Sequence, residues 1–203
     1  MEDESFVKNS VYLTIEQIEK ILKIMKNSVC NILIDNTEGT GFFGEIKLDN
    51  NKSIKTLITA YHVFQKIGSS KSFEFYLNNN KDNKYIIKLD KSIIVYKNKK
   101  NDIAIIEIKS KDILNNPNIC YLEIETNDND DSSFDSFNGL YKDKFIYIIQ
   151  YPKGSECIIS FGMLDVIMNK NEYSIKHKCT TAKGSSGSPI ILLSNSKVIG
   201  IHL

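Results

Sequence analysis

The sequence has no excess of charge of either sign, since 26 basic side chains balance 25 acidic ones over 203 residues. Nucleic-acid binding relies on a basic surface, so no nucleic-acid partner is expected. No run of about 18 apolar residues occurs, and a membrane-spanning helix is therefore not expected. The first residues, MEDES, lack the charged-then-apolar pattern of a secretory signal, which predicts a cytoplasmic protein.

Closely spaced cysteines are also missing. The four cysteines are far apart and form no Cys-x-x-Cys pair: Cys30, Cys120, Cys157 and Cys179. This spacing argues against structural zinc and, without a secretory signal, favours reduced thiols. No metal and no organic cofactor is predicted. The length allows one large domain or two small ones around a sizeable core.

One amphipathic helix is predicted near the N-terminus, over residues 13–27. Apolar side chains recur there at spacings of three and four and should share one face: Ile15, Ile18, Ile21, Leu22 and Met25. Thr14, with Gln17 three positions later, forms a candidate capping box. We expect this face to pack on the rest of the protein; docking of a partner is the alternative.

The rest of the chain shows short β-like runs separated by Asn, Asp, Lys and Gly. Strands are predicted at residues 28–35, 41–48, 54–60, 73–77, 85–90, 92–97, 103–108, 119–124, 145–150, 156–164, 172–178, 188–193 and 197–203. This pattern favours an all-β fold, as antiparallel barrels or a sandwich, over a βαβ sheet. The polar segment 126–139 is interpreted as a solvated loop, with an acidic substrate-contacting loop as the alternative.

Three residues have the chemistry of one catalytic site. The segment GSSGSP places Ser186 between two glycines, which let the backbone turn so that N–H groups converge. A serine hydroxyl attacks effectively only when a histidine takes its proton and an anion orients that histidine. His62 follows an apolar run and Asp102 precedes an alternating one. Each feature alone is usually structural, but together they predict a triad of His62, Asp102 and Ser186.

These segments resemble those of the chymotrypsin-like serine proteases. LITAYHV resembles the family's Thr-Ala-x-His segment, NDIAIIEI its Asp-Ile-Ala-Leu segment, and GSSGSP its Gly-x-Ser-Gly-Gly/Ser-Pro segment. GTGFFGEI, at 39–46, is similar to the strand that precedes the histidine. The resemblance covers about residues 28–203. It implies two six-stranded antiparallel β-barrels with the site in the cleft between them.

The resemblance also implies a role for each site residue. His62 would be the general base, Asp102 its orienting partner and Ser186 the nucleophile, with the N–H groups of Gly184 and Ser186 as the oxyanion hole. Two departures from the family stand out. Ser185 replaces the Asp that pairs with a new N-terminus in zymogens, and Val63 stands beside the histidine where secreted relatives have a disulfide cysteine. Both agree with an intracellular branch without zymogen activation.

The same resemblance divides the chain into a helical extension at 1–27, a first barrel at 28–114 and a second barrel at 115–203. A turn-rich stretch at 111–118 is the predicted seam. Family members continue beyond the position of Leu203 with a strand and a helix. The second barrel is therefore expected to be incomplete, with part of the substrate pocket missing.

The closing segment SKVIGIHL points to a substrate preference. It resembles a VIGIH run of staphylococcal-type glutamyl endopeptidases and a Gly-x-His of picornaviral main proteases. In both, the histidine and a threonine five residues before the nucleophile bind a Glu or Gln side chain. Here these positions are His202 and Thr181, and both side chains can donate a hydrogen bond to an oxygen. A core histidine is the alternative for His202, and His177 is interpreted as structural.

The predicted function is therefore a serine endopeptidase that cuts proteins or peptides after Glu or Gln. The intact triad favours this activity over its main alternative, a catalytically impaired relative that acts as a peptide-binding or protein-binding module. The incomplete pocket favours that alternative. The sequence predicts neither the physiological substrate nor the oligomeric state.

Overall fold

The computed structural model describes residues 11–34, 37–48, 52–126, 139–168 and 174–203. These residues form a mostly β protein whose two sheets curl into a half-barrel and a near-barrel, with a helix at the N-terminal end. The all-β class expected from the sequence is confirmed. Most of the polar segment 126–139 lies outside the described residues, so its interpretation stays a prediction.

The described part of the chain contains thirteen strands, three α-helices of four or more residues, two short 3-10 helices (Gln65–Ile67 and Pro152–Gly154) and a helical turn at 139–141. The three α-helices are α1 (Ile15–Asn27), α2 (Tyr61–Phe64) and α3 (Lys111–Leu114). The strands are β1 (Val29–Ile34), β2 (Thr37–Lys47), β3 (Ser53–Ala60), β4 (Ser72–Leu77), β5 (Tyr85–Lys88), β6 (Val95–Asn98), β7 (Ile103–Glu107), β8 (Leu122–Glu123), β9 (Phe145–Gln150), β10 (Ile158–Met168), β11 (Ser174–His177), β12 (Pro189–Leu192) and β13 (Val198–Ile201).

The strands are divided unequally between the two sheets. The first sheet has the order β5-β4-β1-β2-β3-β7-β6, and β8 adds to it by pairing in parallel with β2. The second sheet has the order β11-β10-β9-β12-β13, in which every pairing is antiparallel. The described residues thus give eight and five strands, where six and six were expected. One of the two additional strands in the first sheet is β8, which follows the predicted seam and pairs back onto β2.

The central strands are buried on both faces, which explains their continuous apolar sequences. Successive strand side chains point to opposite faces. In β2, Phe43 joins the core enclosed by the first sheet, and Phe42 joins a second core shared by both sheets. In β9, Tyr147 lies in the shared core while Ile146 and Ile148 lie in a third core within the second sheet. The shared core therefore fixes the position of one sheet against the other.

Helix α1 packs on the shared core with a narrower face than the sequence indicated. The Thr14–Gln17 capping box is formed in both directions. Ile21 and Ile24 are the buried residues of the helix, whereas the side chains of Ile15, Ile18 and Leu22 are exposed. The predicted face was displaced because the contact with the sheets is restricted to the C-terminal half of the helix.

All four cysteines lie in the described part of the chain and are free thiols. Burial raises the pKa of Cys157 to about 12 and that of Cys179 to about 11, so both are protonated at neutral pH. Among the described residues, no helix is both long enough and apolar enough to cross a membrane.

Candidate active site

The structure brings His62 and Asp102 into direct contact. His62 lies in α2, the single helical turn that follows β3, and Asp102 immediately precedes β7. These strands are neighbours, with Ala60 paired to Ile103, so both residues leave the sheet at the same edge. The Nδ1 atom of His62 lies 2.6 Å from Oδ2 of Asp102. An imidazole held in this way keeps its other nitrogen, Nε2, available to accept a proton.

Asp102 also holds the backbone around the histidine. Its Oδ1 accepts a hydrogen bond from the His62 N–H at 2.8 Å, and its carbonyl accepts one from the Tyr61 N–H at 2.9 Å. The φ angle of Asp102 is +52°, a left-handed conformation that Asp and Asn adopt more readily than most residues. Asp102 therefore fixes both the ring of His62 and the main chain at the start of α2.

The Ser186 segment packs against the strands that lead to His62. The Ser186 carbonyl accepts a hydrogen bond from the Thr40 N–H at 3.0 Å. At Gly187, φ is +93°, and a Cβ atom would lie 2.0 Å from the Thr40 carbonyl oxygen and 3.1 Å from the Ala60 nitrogen. Only glycine allows this approach to β3, two residues before His62. Among the hydrogen bonds of the described residues, however, none joins His62 to the Ser186 hydroxyl.

The turn that carries Ser186 leaves two N–H groups free. Ser185 donates its N–H to the Ala182 carbonyl at 3.0 Å, and Gly187 donates to the His202 carbonyl at 2.7 Å. In contrast, the N–H groups of Gly184 and Ser186 have no acceptor among the described residues. Gly184 has a φ of +98°, which allows these two groups to point into a common space. Such a pair of free N–H groups is suited to bind a developing oxyanion.

His202 lies beside the turn that carries Ser186 and faces His177. Its N–H donates to the Ser188 carbonyl at 2.9 Å, and its Nδ1 lies 3.2 Å from Nε2 of His177. Both rings line a cleft of about 890 Å³ at the ends of β11 and β13. Thr181 is half-buried and is not among the residues that line this cleft. The structure therefore places His202, but not Thr181, on the cleft.

The hydrogen bonds determine which nitrogen of His202 carries its proton. The Cys179 N–H donates to Nδ1 of His177 at 3.3 Å, so neutral His177 holds its proton on Nε2. That Nε2–H then donates to Nδ1 of His202, whose own proton lies on Nε2. Burial, and secondly the neighbouring His177, lower the pKa of His202 to about 4, so the ring is neutral at pH 7.

Thr40 is a site residue that the sequence analysis did not single out. Its hydroxyl donates to the Gly184 carbonyl at 3.0 Å and accepts from the Tyr151 N–H at 3.0 Å. Its position between two glycines in the quoted segment GTGFFGEI was the available signal. No group of three metal-binding side chains occurs within the described residues.

Proteases of known structure share this fold. The M. tuberculosis protease Rv3671c, in an inactive form, superposes with a TM-score of 0.60 at 15% identity, covering 96% of this chain and 86% of that chain. Deg5 gives 0.60 at 18% identity, covering 93% and 86%. A serine endoprotease from Yersinia pestis gives 0.61 at 14% identity, covering 95% and 58%. At these identities the likeness concerns the fold.

Sequence comparison identifies the family more directly. No curated protein sequence matches the chain. The trypsin-like peptidase domain family, in contrast, matches residues 39–201, which include the strand before His62, all three predicted triad positions and the whole of β13. The match covers most of the chain and agrees with the two-sheet fold. The protein therefore belongs to the trypsin-like peptidase family, as the resemblance to chymotrypsin-like proteases predicted.

Proposed function

We propose that the protein is a serine endopeptidase with Ser186 as nucleophile. The observation that carries the proposal is the His62–Asp102 pair, joined at 2.6 Å, next to a glycine-flanked serine turn with free N–H groups. The two parts come from different sheets, since His62 follows β3 and Ser186 precedes β12. A peptide bound between the sheets would contact both.

The proposed reaction uses only side chains and backbone. Nε2 of His62 takes the proton from the Ser186 hydroxyl while the oxygen attacks the scissile carbonyl carbon. The resulting oxyanion accepts hydrogen bonds from the N–H groups of Gly184 and Ser186. His62 then gives its proton to the leaving amine, and an acyl-enzyme remains. Water, deprotonated by the same imidazole, releases the acid product and restores the serine.

A contact between His62 and Ser186 is required for this reaction, and substrate binding supplies a reason for it to form. Catalytic hydrogen bonds in free enzymes are often long or poorly aligned and shorten in the complex. The side chain of His62 is 44% exposed, which leaves its ring accessible to a substrate and to the serine. The side chain of Asp102 is less exposed, at 26%, and contacts the ring at Nδ1, on the side away from Nε2.

We further propose that cleavage follows Glu or Gln, with His202 as the main recognition residue. Its neutral Nε2–H has no partner within the described part of the chain and can donate to a carboxylate or amide oxygen. An uncharged donor adds no ion pair for Glu, so Gln and Glu should be accepted at comparable rates. In this proposal the Thr181 hydroxyl is a second donor, which requires the substrate side chain to extend from the cleft towards the 180–182 segment.

A fluorophosphonate probe tests the peptidase assignment. Such probes phosphonylate an activated serine, so the wild type should be labelled and Ser186→Ala should not. The matched control is Ser188→Ala, because Ser188 lies two residues from Ser186 and its buried hydroxyl has no hydrogen-bond partner in the described part of the chain. This control should be labelled like the wild type. A folded wild type that is not labelled would reject the peptidase and support a peptide-binding module instead.

A peptide library cut by the purified protein tests the substrate preference. Cleavage after both Gln and Glu is expected, and His202→Phe should reduce kcat/KM for these substrates by about 10²-fold or more, because a lost polar partner leaves the substrate oxygen unpaired. Preference of the wild type for Arg, Lys or large apolar residues would reject the proposed pocket without affecting the peptidase assignment.

A further inference from the structure

Gln150 is a polar residue in an apolar position. It is the last residue of β9, and strand alternation places it on the face of Ile146 and Ile148, which lie in the third core. Only 1% of its surface is exposed. A buried amide is unfavourable unless its polar atoms are hydrogen-bonded. Both ends of this side chain are bonded, and both partners lie in the segment that leads to Ser186.

The direction of each bond is fixed by chemistry. Nε2 of Gln150 donates to the Thr180 carbonyl at 2.8 Å, because a carbonyl can only accept. Oε1 therefore faces Ser185 and accepts from its hydroxyl. The Ser185 oxygen in turn accepts from the Ala182 N–H at 3.3 Å. All the groups are satisfied only in this orientation, so the amide cannot flip without losing its bonds.

These bonds hold the loop at two points, each immediately before a proposed site residue. Thr180 immediately precedes Thr181, and Ser185 immediately precedes Ser186. The Ser185 side chain is fully buried. No charged group takes part in these bonds. Gln150 itself belongs to β9, a strand of the second sheet. The loop is thus tied to the sheet by neutral hydrogen bonds that form on folding.

We propose that Gln150 is the positioning residue of the nucleophile loop: its amide, through Ser185 and Thr180, holds Gly184 and Ser186 with their N–H groups free. This inference rests on the proposed serine peptidase for its catalytic consequence, although the tether itself concerns the loop. Gln150 touches no substrate and acts only through its two partners. An oxyanion-binding turn must be rigid before the reaction, because N–H groups that reorganise contribute much less.

Three substitutions separate the parts of the tether. Gln150→Met keeps the length of the side chain and removes both bonds, and Ser185→Ala removes one. Gln150→Glu keeps the shape but makes the donor titratable: only the protonated carboxyl can donate to Thr180. Burial raises the pKa of a carboxyl group, so the ratio of Gln150→Glu labelling to wild-type labelling should fall as the pH rises. Gln150→Met, which does not titrate, should show a ratio that stays constant with pH.

The experiment combines probe labelling with hydrogen exchange. In Gln150→Met, the rate constant for fluorophosphonate labelling should fall by about 10- to 100-fold, since oxyanion contacts of this kind are worth such factors. Amide exchange followed by mass spectrometry should accelerate by about 10-fold in peptides spanning 180–188 and stay near the wild-type rate elsewhere. Ser188→Ala, with its unpaired hydroxyl, should change neither measurement.

Hydrogen exchange decides the inference even if the protein has no peptidase activity. An unlabelled wild type with faster loop exchange in Gln150→Met would reject the proposed function and retain the tether. Unchanged exchange at 180–188 would overturn the inference, as would labelling of Gln150→Met within twofold of a wild type that is itself labelled. Acceleration spread over the whole chain would also overturn it, because Gln150 would then stabilise the fold in general.

Discussion

The facing rings of His177 and His202 should make the stability of the protein depend on pH. Burial lowers both pKa values, and for His202, with the added effect of His177, the value falls to about 4. A histidine with a lower pKa in the folded than in the unfolded chain binds protons more weakly when folded. Its contribution to the free energy of unfolding is therefore complete above about pH 6.5 and is lost as the pH falls towards 4.

The size of the effect follows from the shift. One pKa unit corresponds to about 1.4 kcal/mol, so a change from 6.5 to about 4 sets an upper limit of about 3 kcal/mol. His202 is half-buried and shares its cleft with Lys100, Asp165 and Lys176, so solvent screening reduces the effect to about 1–2 kcal/mol. Between pH 7 and pH 5, His202 should account for a loss of about 1 kcal/mol.

Urea unfolding of the wild type and of His202→Gln at both pH values measures this contribution. Glutamine does not titrate, so the variant should lose about 1 kcal/mol less than the wild type between pH 7 and pH 5. Replacing His177 as well should flatten the dependence further. His62 and the carboxylates are common to all the proteins, so their contributions cancel. Equal losses in the wild type and in His202→Gln would refute the reasoning.

Three further substitutions test other parts of the structure. Gly187→Ala should destabilise the protein by about 3 kcal/mol or more in urea unfolding, because its Cβ would lie 2.0 Å from the Thr40 carbonyl oxygen; a loss below about 1 kcal/mol would contradict this packing. Thr40→Val removes the hydroxyl bonded to Gly184 and should slow probe labelling about 10-fold, whereas an unchanged rate would exclude a role in the oxyanion turn. Thr14→Ala should cost about 1 kcal/mol of unfolding free energy through the lost helix cap, and no measurable loss would show that the cap is dispensable.

The strands were predictable because a strand that is buried on both faces has a continuous run of apolar residues. Strand β9 was predicted with its observed bounds, since FIYII is an apolar run limited by polar residues. The short β8 was predicted too long, at 119–124, because Ile119 packs in the first core without strand pairing and Ile124 forms only an isolated bridge to Val198. The face of α1 was displaced because helical periodicity shows which residues are apolar but does not show where the sheets end.

The site was predictable to the extent that its chemistry lies in single residues. A contact between His62 and Asp102 was expected, and Nδ1 of the His62 ring lies 2.6 Å from Oδ2 of Asp102. The assignment of Ser186 as nucleophile stays a prediction. The tether through Gln150 was not predictable, because its partners lie 30 and 35 positions away and nothing near Gln150 in sequence indicates them. Likewise, no local pattern indicated that the Cys179 N–H group determines which ring nitrogen of His177 and of His202 carries the proton.

The left-handed backbone at Asp102 limits which residues this position can evolve to. The conformation favours Asp and Asn, whereas only a carboxylate can both accept the hydrogen bond from the histidine ring and stabilise its protonated form. Glutamate supplies a carboxylate but does not favour the left-handed backbone. Asparagine favours that backbone but supplies no carboxylate. A change from Asp to Asn at this position would therefore remove the carboxylate and preserve the local backbone conformation. Under the proposed function, Asp102→Asn should therefore keep the fold and lose most of the peptidase activity.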